Sequence, residues 1–370
     1  MNNEKMVTKT VAIIGAGPVG CYTGYLLAKA GWKVTIYENH AQVGLPIQCT
    51  GLLTHDFDKL GIPTSAFLVN TLTRIDVFSP QKFASIPQKE YLVCRTKFDT
   101  YFADIARKAG ASIFVSHSFV RKDNNGDIVI SRTERGDEIK ISPDIVIGAD
   151  GPLSPTAKAF GFFEMKRENY YGVQAVVSGK FEPHAFQTYF GVNVCPGLFA
   201  WVVPESSSRA RVGLACVKDS RLWFEKFMRE HKFTALEMQA GTIPIYNPRQ
   251  KLVKDNCYVV GDAAGFVKAT TLGGLIPGLR QAQILASCLL HGENYERAVN
   301  PLRRQLRAHL MLHRSFEKFT DKDWDRLVSY IGQKRIQNIL TKHTRENPFP
   351  ILIKSVLTEP RLIYFAKFLV

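Results

Sequence analysis

The feature that most constrains the fold is a glycine-rich turn near the start of the chain. Val11–Ile14 is an apolar run typical of a buried strand, and the sequence after it has the GxGxxG spacing before a helical stretch over Cys21–Ala30. Gly15 permits the tight turn, Gly17 lets a pyrophosphate approach the backbone, and Gly20 allows the helix to pack on the strand. This order predicts a Rossmann-type unit that binds a dinucleotide at a helix N-terminus.

A second strand supplies the acid that such a unit requires. Lys33–Tyr37 reads as a strand and ends at Glu38, whose carboxylate can accept hydrogen bonds from the adenosine ribose hydroxyls. The alternative is a glycine-rich turn with a surface Glu38. This half of the motif does not distinguish FAD from NAD.

Two later strands also lead into turns that carry an aspartate. Asp144–Ile147 precedes Asp150, and Cys257–Val260 precedes Gly261 and Asp262. At the carboxyl end of a parallel sheet such an acid can face a cofactor, and Asp262 suits a polyol such as ribityl. Either aspartate can instead serve only as a helix cap.

Arg95 begins a predicted helix that extends to Ala109. In the run from Arg95 through Phe98 and Asp99, the guanidinium is a candidate partner for a cofactor phosphate. A solvated surface charge is the alternative.

The ordered motifs resemble those of a known group of flavoproteins. GxGxxG, RxxFD, GADG and GDAAG together resemble the flavoproteins related to para-hydroxybenzoate hydroxylase, and they cover most of Val11–Leu290. Within that group, three segments resemble geranylgeranyl reductases: Gln48–Gly51, Phe199–Pro204 with the following Val212–Leu214, and Gly273–Gly274. The usual YxWxFP pattern of these reductases is altered, because Phe199 replaces its tyrosine and Val203 its phenylalanine.

The resemblance implies an α/β fold with a Rossmann-type FAD-binding domain, of the glutathione reductase-like, para-hydroxybenzoate hydroxylase subtype. An antiparallel β-sheet substrate domain and a C-terminal helical region complete it. The implied cofactor-binding residues are Gly15, Gly17, Gly20, Glu38, Arg95, Asp150, Gly261, Asp262, Gly273 and Gly274. The two last glycines would bring backbone amides near the flavin pyrimidine. Since no second GxGxxG follows a strand, the expected reductant is external, either NAD(P)H or a reduced electron-carrier protein.

The predicted domains are discontinuous. Residues 1–71, 91–169 and 246–290 are assigned to the FAD-binding domain, residues 72–90 and 170–245 to the substrate sheet, and residues 291–370 to a basic helical region. Alternating runs at Gly172–Val177 and Arg211–Val217 indicate antiparallel strands.

Aromatic residues in the substrate sheet are candidates for an apolar channel across the flavin. Phe199 and Trp201 are the first candidates, and Cys49 is placed near the reacting carbon by the resemblance. Tyr189 and Phe190 are expected to lie in the core, which also remains the alternative for Phe199 and Trp201. Cys49 can equally be a small buried hydrophobic residue.

Charge and cysteine usage narrow the setting. The net charge of +15 fits an anionic membrane or an acidic small molecule, while no zinc-finger or RNP-like motif supports nucleic acid. Seven cysteines without a CxxC pair, and a polar start over Met1–Thr10, predict a cytoplasmic protein without a metal site.

The tail segments Ile351–Leu357 and Leu362–Val370 mix apolar residues with lysine, which predicts peripheral attachment at the inner face of the membrane. Packing onto the flavin domain is the alternative.

The function that these features favour is reduction of carbon–carbon double bonds in geranylgeranyl or other isoprenoid chains of membrane lipids, by hydride transfer from reduced flavin. The alternatives are a flavin-dependent monooxygenase (a hydroxylase or halogenase) and a flavin-bearing electron carrier at the membrane.

Overall fold

The computed structural model describes residues 8–133, 135–163 and 167–369. Positions 1–7 of the polar start, which supported the cytoplasmic prediction, lie outside these residues, as does Val370 of the predicted interfacial tail. Strands β1–β17 are, in chain order, Thr10–Ile14, Lys33–Tyr37, Leu52–Thr54, Leu68–Phe78, Phe83–Val93, Ser112–Phe114, His117–Lys122, Ile128–Arg132, Asp137–Ile141, Ile145–Gly148, Asn169–Ser178, Ala185–Phe190, Phe199–Pro204, Arg209–Cys216, Thr234–Pro244, Val253–Lys254 and Cys257–Val259. Helices α1–α10 are Pro18–Lys29, Arg95–Lys108, Pro155–Ala159, Ser220–Glu230, Leu275–His291, Tyr295–Ala298, Asn300–Phe316, Asp321–Ile331, Lys334–Lys342 and Pro348–Thr358.

The first sheet is the Rossmann unit. Its strand order is β16-β17-β10-β1-β2-β6, and all neighbours are parallel except β16 and β17. Its central strands are apolar, and they share one core with α1, α2 and α5 and with residues of β7 and β8. Since β17, β10 and β1 are adjacent and parallel, the turns that follow them meet at one edge.

The second sheet has the order β15-β11-β14-β13-β12-β4-β5-β3 and is antiparallel except where β12 pairs with β4. Helix α4 packs against β11 and β14 on one face. The opposite face carries polar and aromatic side chains that line a cavity.

The segment after α5 is helical, as predicted. Trp324 of α8 packs against Phe190 of the second sheet, with ring centroids 4.5 Å apart, and α9 contacts β5. The C-terminal region therefore covers the part of the second sheet that the Rossmann unit leaves open.

The predicted fold class is confirmed, including the antiparallel sheet and the helical C-terminal region. Strand bounds differ from the proposed domain boundaries, because β3 lies within residues 1–71 yet joins the second sheet, and β4 begins at Leu68. A third sheet, formed by β7, β8 and β9, was not predicted. The domain division itself stays a prediction.

Candidate cofactor and substrate site

One cavity of about 720 Å³ extends from the glycine-rich turn to the second sheet. It lies at the edge where the turns after β1, β10 and β17 meet, and its volume is in the range of small-molecule and cofactor sites. Phe199 and Trp201 line its other end. The predicted cofactor and substrate residues therefore share a single cavity.

The glycine-rich turn has the geometry that a pyrophosphate site needs. Gly15 has a φ of 102°, and a Cβ there would lie 2.5 Å from the backbone oxygen of Ala149. A Cβ on Gly20 would lie 2.2 Å from the Gly15 oxygen, so this glycine permits the helix to pack on the turn. At Gly17, directly before α1, a Cβ would meet no atom within 4 Å, which leaves the helix N-terminus open to the cavity.

Glu38 is buried at the end of β2 and faces the same turn. Its carboxylate accepts a hydrogen bond from the Ala16 backbone N–H at 2.8 Å and contacts His40 Nδ1 at 2.6 Å. The acid therefore lies against the glycine-rich turn, as the ribose assignment requires, and Glu38 is not a surface residue.

Asp150 caps a helix as well as lining the cavity. Its carboxylate accepts hydrogen bonds from the Thr156 backbone N–H at 2.9 Å and from Ser154 Oγ. Burial raises its pKa, and these hydrogen bonds oppose the increase. The capping alternative thus accounts for much of this residue's geometry.

Arg95 is the first residue of α2 and is largely buried. Its guanidinium forms a two-point ion pair with Asp99, at 3.1 and 2.9 Å, and lines the cavity. It is therefore not a solvated surface charge. Within the described residues its recorded partners are Asp99 and the Cys49 thiol.

The Asp262 carboxylate is the group best suited to bind a polyol. It lines the cavity, and in the described part of the chain no group donates a hydrogen bond to it. Burial raises its pKa, while Arg95 and Arg167 oppose the increase. A Cβ on Gly274 would lie 2.7 Å from Asp262 Oδ1, so this glycine makes room for the acid. A half-buried carboxylate with open acceptors beside an open helix N-terminus fits the ribityl pyrophosphate of FAD.

Gly273 is constrained by a neighbour that the sequence analysis did not identify. A Cβ there would lie 2.9 Å from Lys268 Cε. Lys268 is buried beside the cavity and forms an ion pair with Glu346 of the C-terminal region. Burial lowers the pKa of Lys268, and the Glu346 charge opposes this.

Arg167 joins the two acidic turns. It donates hydrogen bonds to the backbone oxygens of Pro152 and Asp262, each at 3.1 Å, and to that of Ala263 at 2.8 Å. Because the Arg167 guanidinium donates to carbonyl groups of both turns, it fixes the relative position of the turns that follow β10 and β17. Arg167 belongs to none of the sequence motifs, so the sequence analysis did not identify it.

The second sheet separates its aromatic side chains between two faces. Phe199, Trp201 and Phe190 line the cavity, and the Phe190 and Phe199 ring centroids lie 5.2 Å apart. Tyr189 lies on the other face, stacked on Phe78 at 4.7 Å. Both residues pack against the core, as predicted, but Phe190 also lines the cavity, because successive residues of a strand point to opposite faces.

Cys49 lies on a loop that the second sheet supports. The thiol is half-buried, lines the cavity and accepts a hydrogen bond from the Gly51 backbone N–H at 3.4 Å. The buried Arg211 guanidinium donates to the backbone oxygens of Thr50 and Val93, which holds the loop against β5. Cys49 thus faces the same space as Trp201.

The C-terminal helices complete the cavity, and the sequence gave no indication of this. Successive residues Arg345 and Glu346 form ion pairs with Glu90 of β5 and with Lys268. Apolar side chains from α7 and α8 line the adjoining space: Phe316, Trp324, Leu327, Val328 and Ile331. The cavity is therefore apolar beyond Phe199 and charged beside Lys268.

Comparison with known proteins agrees with this geometry. Residues 13–67 match the family of NAD(P)-binding Rossmann-like domains, and residues 64–294 match the FAD binding domain family. The chain is 28% identical to a digeranylgeranylglycerophospholipid reductase of Methanocaldococcus jannaschii, over 90% of this chain and 95% of that protein. It is 27% identical to digeranylgeranylglycerophospholipid reductase 2 of Methanothermobacter thermautotrophicus, over 89% of this chain and 93% of that protein.

Solved structures share the fold. A geranylgeranyl bacteriochlorophyll reductase-like protein of Thermoplasma acidophilum superposes with a TM-score of 0.84 at 19% identity, over 98% of this chain and 99% of that one. The flavin-dependent halogenase CmlS superposes less closely, with a TM-score of 0.66 at 16% identity, over 97% and 79%. Because one FAD-binding match spans more than half of the residues and the cavity fits that cofactor, the chain belongs to the FAD binding domain family of flavoproteins.

Proposed function

We propose that this protein is an FAD-dependent oxidoreductase that hydrogenates carbon–carbon double bonds in the geranylgeranyl chains of membrane lipids or their precursors. The observation that carries the proposal is the continuity of the cavity. A dinucleotide site at the turns after β1 and β17 opens directly onto an apolar space lined by Phe199, Trp201 and Trp324. The names of the reductase relatives support the same substrate class.

Bound FAD, in its reduced form, supplies the hydride for such a reaction. Gly17 and the N-terminus of α1 would hold the pyrophosphate, Glu38 the adenosine ribose, and Asp262 the ribityl hydroxyls. The apolar residues of the protein exclude water from the cavity and hold the isoprenoid chain of the substrate. Burial of that chain contributes about 0.8 kcal/mol of binding free energy per CH₂ group. We propose that Phe199 and Trp201 orient the alkene and that the Cys49 thiol forms the polar side of the site.

The proposed electron source is external, either NAD(P)H or a reduced electron-carrier protein. The support is that the sequence carries a single GxGxxG after a strand. Flavin absorbance recorded after anaerobic mixing with NADH, NADPH or a reduced ferredoxin-type protein identifies the donor by the rate of bleaching.

Product analysis without oxygen separates the reductase from the monooxygenase or halogenase. The enzyme is reduced anaerobically and given a digeranylgeranyl glycerolipid, and the lipid is analysed by mass spectrometry. Addition of H₂ units to the lipid without oxygen supports the reductase. Conversion that requires oxygen, with or without halide, contradicts it, and the absence of any conversion with bound flavin favours an electron carrier.

We also propose that the C-terminal segment attaches the protein peripherally to the inner face of the membrane. On and after α10, Ile353, Leu357 and Ile363 expose 59%, 77% and 68% of their surface, beside the exposed Lys354 and Lys367. Exposed apolar side chains among lysines are typical of interfacial segments. Among the described helices, none has both the length and the hydropathy that a bilayer-spanning segment requires.

Liposome binding tests the membrane proposal. Deleting the tail would also remove Phe365 and Phe368, which pack on Phe319 with centroids 5.1 and 4.8 Å apart, so point variants are cleaner. The double variant Ile353→Ser and Leu357→Ser should lose binding to anionic vesicles and keep its flavin. Leu236→Ser, at a site that is 57% exposed on β15, is the matched control. Equal loss in both variants contradicts the proposed attachment.

A further inference from the structure

A row of side chains crosses four strands of the second sheet on its cavity face. The strand registers pair Trp201 with Gly213, Gly213 with Gln174, and Gln174 with Gln239. Neighbouring strands lie about 4.8 Å apart, so a side chain normally reaches only the next strand. Here the row contains a glycine in its second position.

Gly213 lets the indole of Trp201 lie flat across β14. A Cβ on Gly213 would lie 2.7 Å from Trp201 Cζ2 and 2.8 Å from Cε2, so any larger residue would displace the ring. The indole Nε1–H therefore reaches one strand further and donates to Gln174 Oε1 at 3.1 Å.

Gln174 also holds the loop that carries Cys49. Thr50 Oγ1 donates to the same Gln174 Oε1 at 2.6 Å. Because an indole N–H can only donate, the accepting atom must be the amide oxygen, and both of its lone pairs are used. The amide nitrogen then donates to Gln239 Oε1 at 2.7 Å, and Gln239 Nε2 donates to Glu237 Oε1 at 2.9 Å. The orientation of both side-chain amides in this row is thereby determined.

We infer that Gln174 is a positioning residue, whose amide oxygen sets the distance between the Trp201 ring and the Cys49 loop across the cavity. The inference rests on the proposed function, since it assigns these two groups to the alkene. Gln174 is buried and lines the cavity, and Trp201 and Thr50 are joined through it rather than directly. Displacement of one group relative to the other changes which part of an apolar chain is presented for reaction.

The test compares two substitutions at one position. Gln174→Glu keeps an acceptor oxygen for Trp201 and Thr50, whereas Gln174→Leu removes it at similar volume. We expect Gln174→Leu to lower kcat by about 10- to 100-fold, as a 1 Å misplacement can do, to leave FAD content unchanged, and to broaden the set of bonds reduced. Gln174→Glu should restore most of kcat. Glu237→Leu, at the exposed end of the row and outside the cavity lining, leaves Gln174 and both of its donors in place, so it is the matched control and should stay near the wild-type rate.

A spectroscopic signal reports the positioning directly. The chain has four tryptophans, so ¹⁵N-labelled indole N–H resonances are few, and Trp201→Phe identifies the relevant one. This resonance should shift upfield in Gln174→Leu, which removes the acceptor, and should not shift upfield in Gln174→Glu, because a carboxylate is at least as strong an acceptor as the amide oxygen. Thr50→Val, which does not alter the sheet, provides a second route if Gln174→Leu fails to fold, and should lower kcat without moving the indole resonance.

A shifted indole with wild-type kcat and product pattern in Gln174→Leu would overturn the inference. So would equal loss of activity in Gln174→Glu, Gln174→Leu and Glu237→Leu, because that pattern indicates a general packing role. If the wild-type protein itself reduces no lipid, the proposed function fails. In that case the indole resonances still decide whether the Gln174 contact exists.

Discussion

Asp262 differs from the other acidic residues around the cavity because its carboxylate retains open acceptor positions. Glu38 accepts from the Ala16 backbone N–H, and Asp150 accepts from Thr156 and Ser154. In the described residues no hydrogen bond reaches the Asp262 carboxylate, although burial raises its pKa. A ligand with several hydroxyl groups would supply what the protein does not.

We therefore expect Asp262→Ala to lower FAD retention, while Cys49→Ala keeps it near the wild-type level. Losing a charged acceptor for ligand hydroxyls costs on the order of 2 kcal/mol, or roughly 30-fold in affinity. The measurement is the ratio of flavin to protein absorbance after gel filtration, with apoprotein titrated by FAD to obtain Kd. Equal retention in the two variants would contradict the roles assigned to both residues.

Cys49 has two physical interpretations that a pair of variants separates. If the thiol acts through polarity or proton handling, Cys49→Ala should slow alkene reduction more than Cys49→Ser. A packing role gives the reverse order, because a hydroxyl is costlier than a methyl group in an apolar site. The rates come from anaerobic single turnovers with matched FAD content, and wild-type rates in both variants would remove Cys49 from the site.

His309 on α7 predicts a dependence of stability on pH. It is buried against Thr270, with His309 Nδ1 2.7 Å from Thr270 Oγ1, and burial together with the Lys268 charge lowers its pKa from 6.5 to about 4. Between pH 6.5 and about 4 the unfolded chain therefore binds more protons than the folded one. The contribution of His309 to the free energy of unfolding should then fall as the pH falls through this range, by up to about 3 kcal/mol. The raised pKa values of Asp150, Asp262 and Glu90 act in the opposite direction, so the His309 contribution is obtained from the difference between wild type and variant.

Urea denaturation of the FAD-saturated protein at pH 6.5 and 4.5 measures this dependence. His309→Asn should flatten it, because asparagine offers an amide in place of Nδ1 and does not titrate. His291→Asn, at an exposed position, should leave it unchanged. A wild-type slope that persists in His309→Asn would assign the effect to other groups, such as Glu346, whose pKa is lowered by Lys268 against the effect of burial.

At the scale of elements, the sequence was most informative where a motif has one geometric solution. Strand β2 was predicted with its observed bounds, and α1 begins at Pro18 rather than Cys21 because proline suits the first turn of a helix. By contrast, the position of Phe190 in the cavity lining was not predicted, because an aromatic residue in a strand does not reveal its face. Gln174 could have been identified from the sequence, because a glutamine inside the apolar run Gly172–Val177 requires a polar partner.

The segment between α9 and α10 connects the C-terminal region to β5 of the second sheet and to the loop that follows β17 through opposite charges. Arg345 pairs with Glu90, and Glu346 pairs with Lys268. Burial raises the pKa of Glu90, and Arg345 opposes the increase. Sequence spacing could not predict these pairs, because they join residues far apart in the chain.

We expect Glu346→Gln to destabilise the protein by about 3–5 kcal/mol, since it leaves the Lys268 ammonium buried without its counter-charge. Adding Lys268→Met should recover much of the loss. Differential scanning calorimetry of the FAD-saturated variants measures it, with Glu225→Gln, from the exposed Arg221–Glu225 pair, as the matched control. A Glu346→Gln variant as stable as the control would show that the buried pair contributes little.

At the scale of the whole molecule, the order of strand, turn and acid predicted the Rossmann unit, and the resemblance to flavoproteins supplied FAD as its cofactor. Three turns converge because β17, β10 and β1 are adjacent and parallel. The position of the C-terminal helices followed from no such rule, although Phe316, Trp324 and Ile331 line the cavity that the motifs define. The cavity is therefore lined by residues from all parts of the chain, whereas the motifs predicted only its cofactor end.

The stoichiometry of one anaerobic turnover tests the central claim most directly. Enzyme with its FAD fully reduced is mixed with a digeranylgeranyl glycerolipid without oxygen, flavin absorbance is followed, and the lipid is then analysed by mass spectrometry. The proposed function predicts that each equivalent of flavin reoxidised adds one H₂ to an isoprenoid double bond. Flavin that stays reduced until oxygen is admitted, with the lipid unchanged or oxygenated, would contradict it.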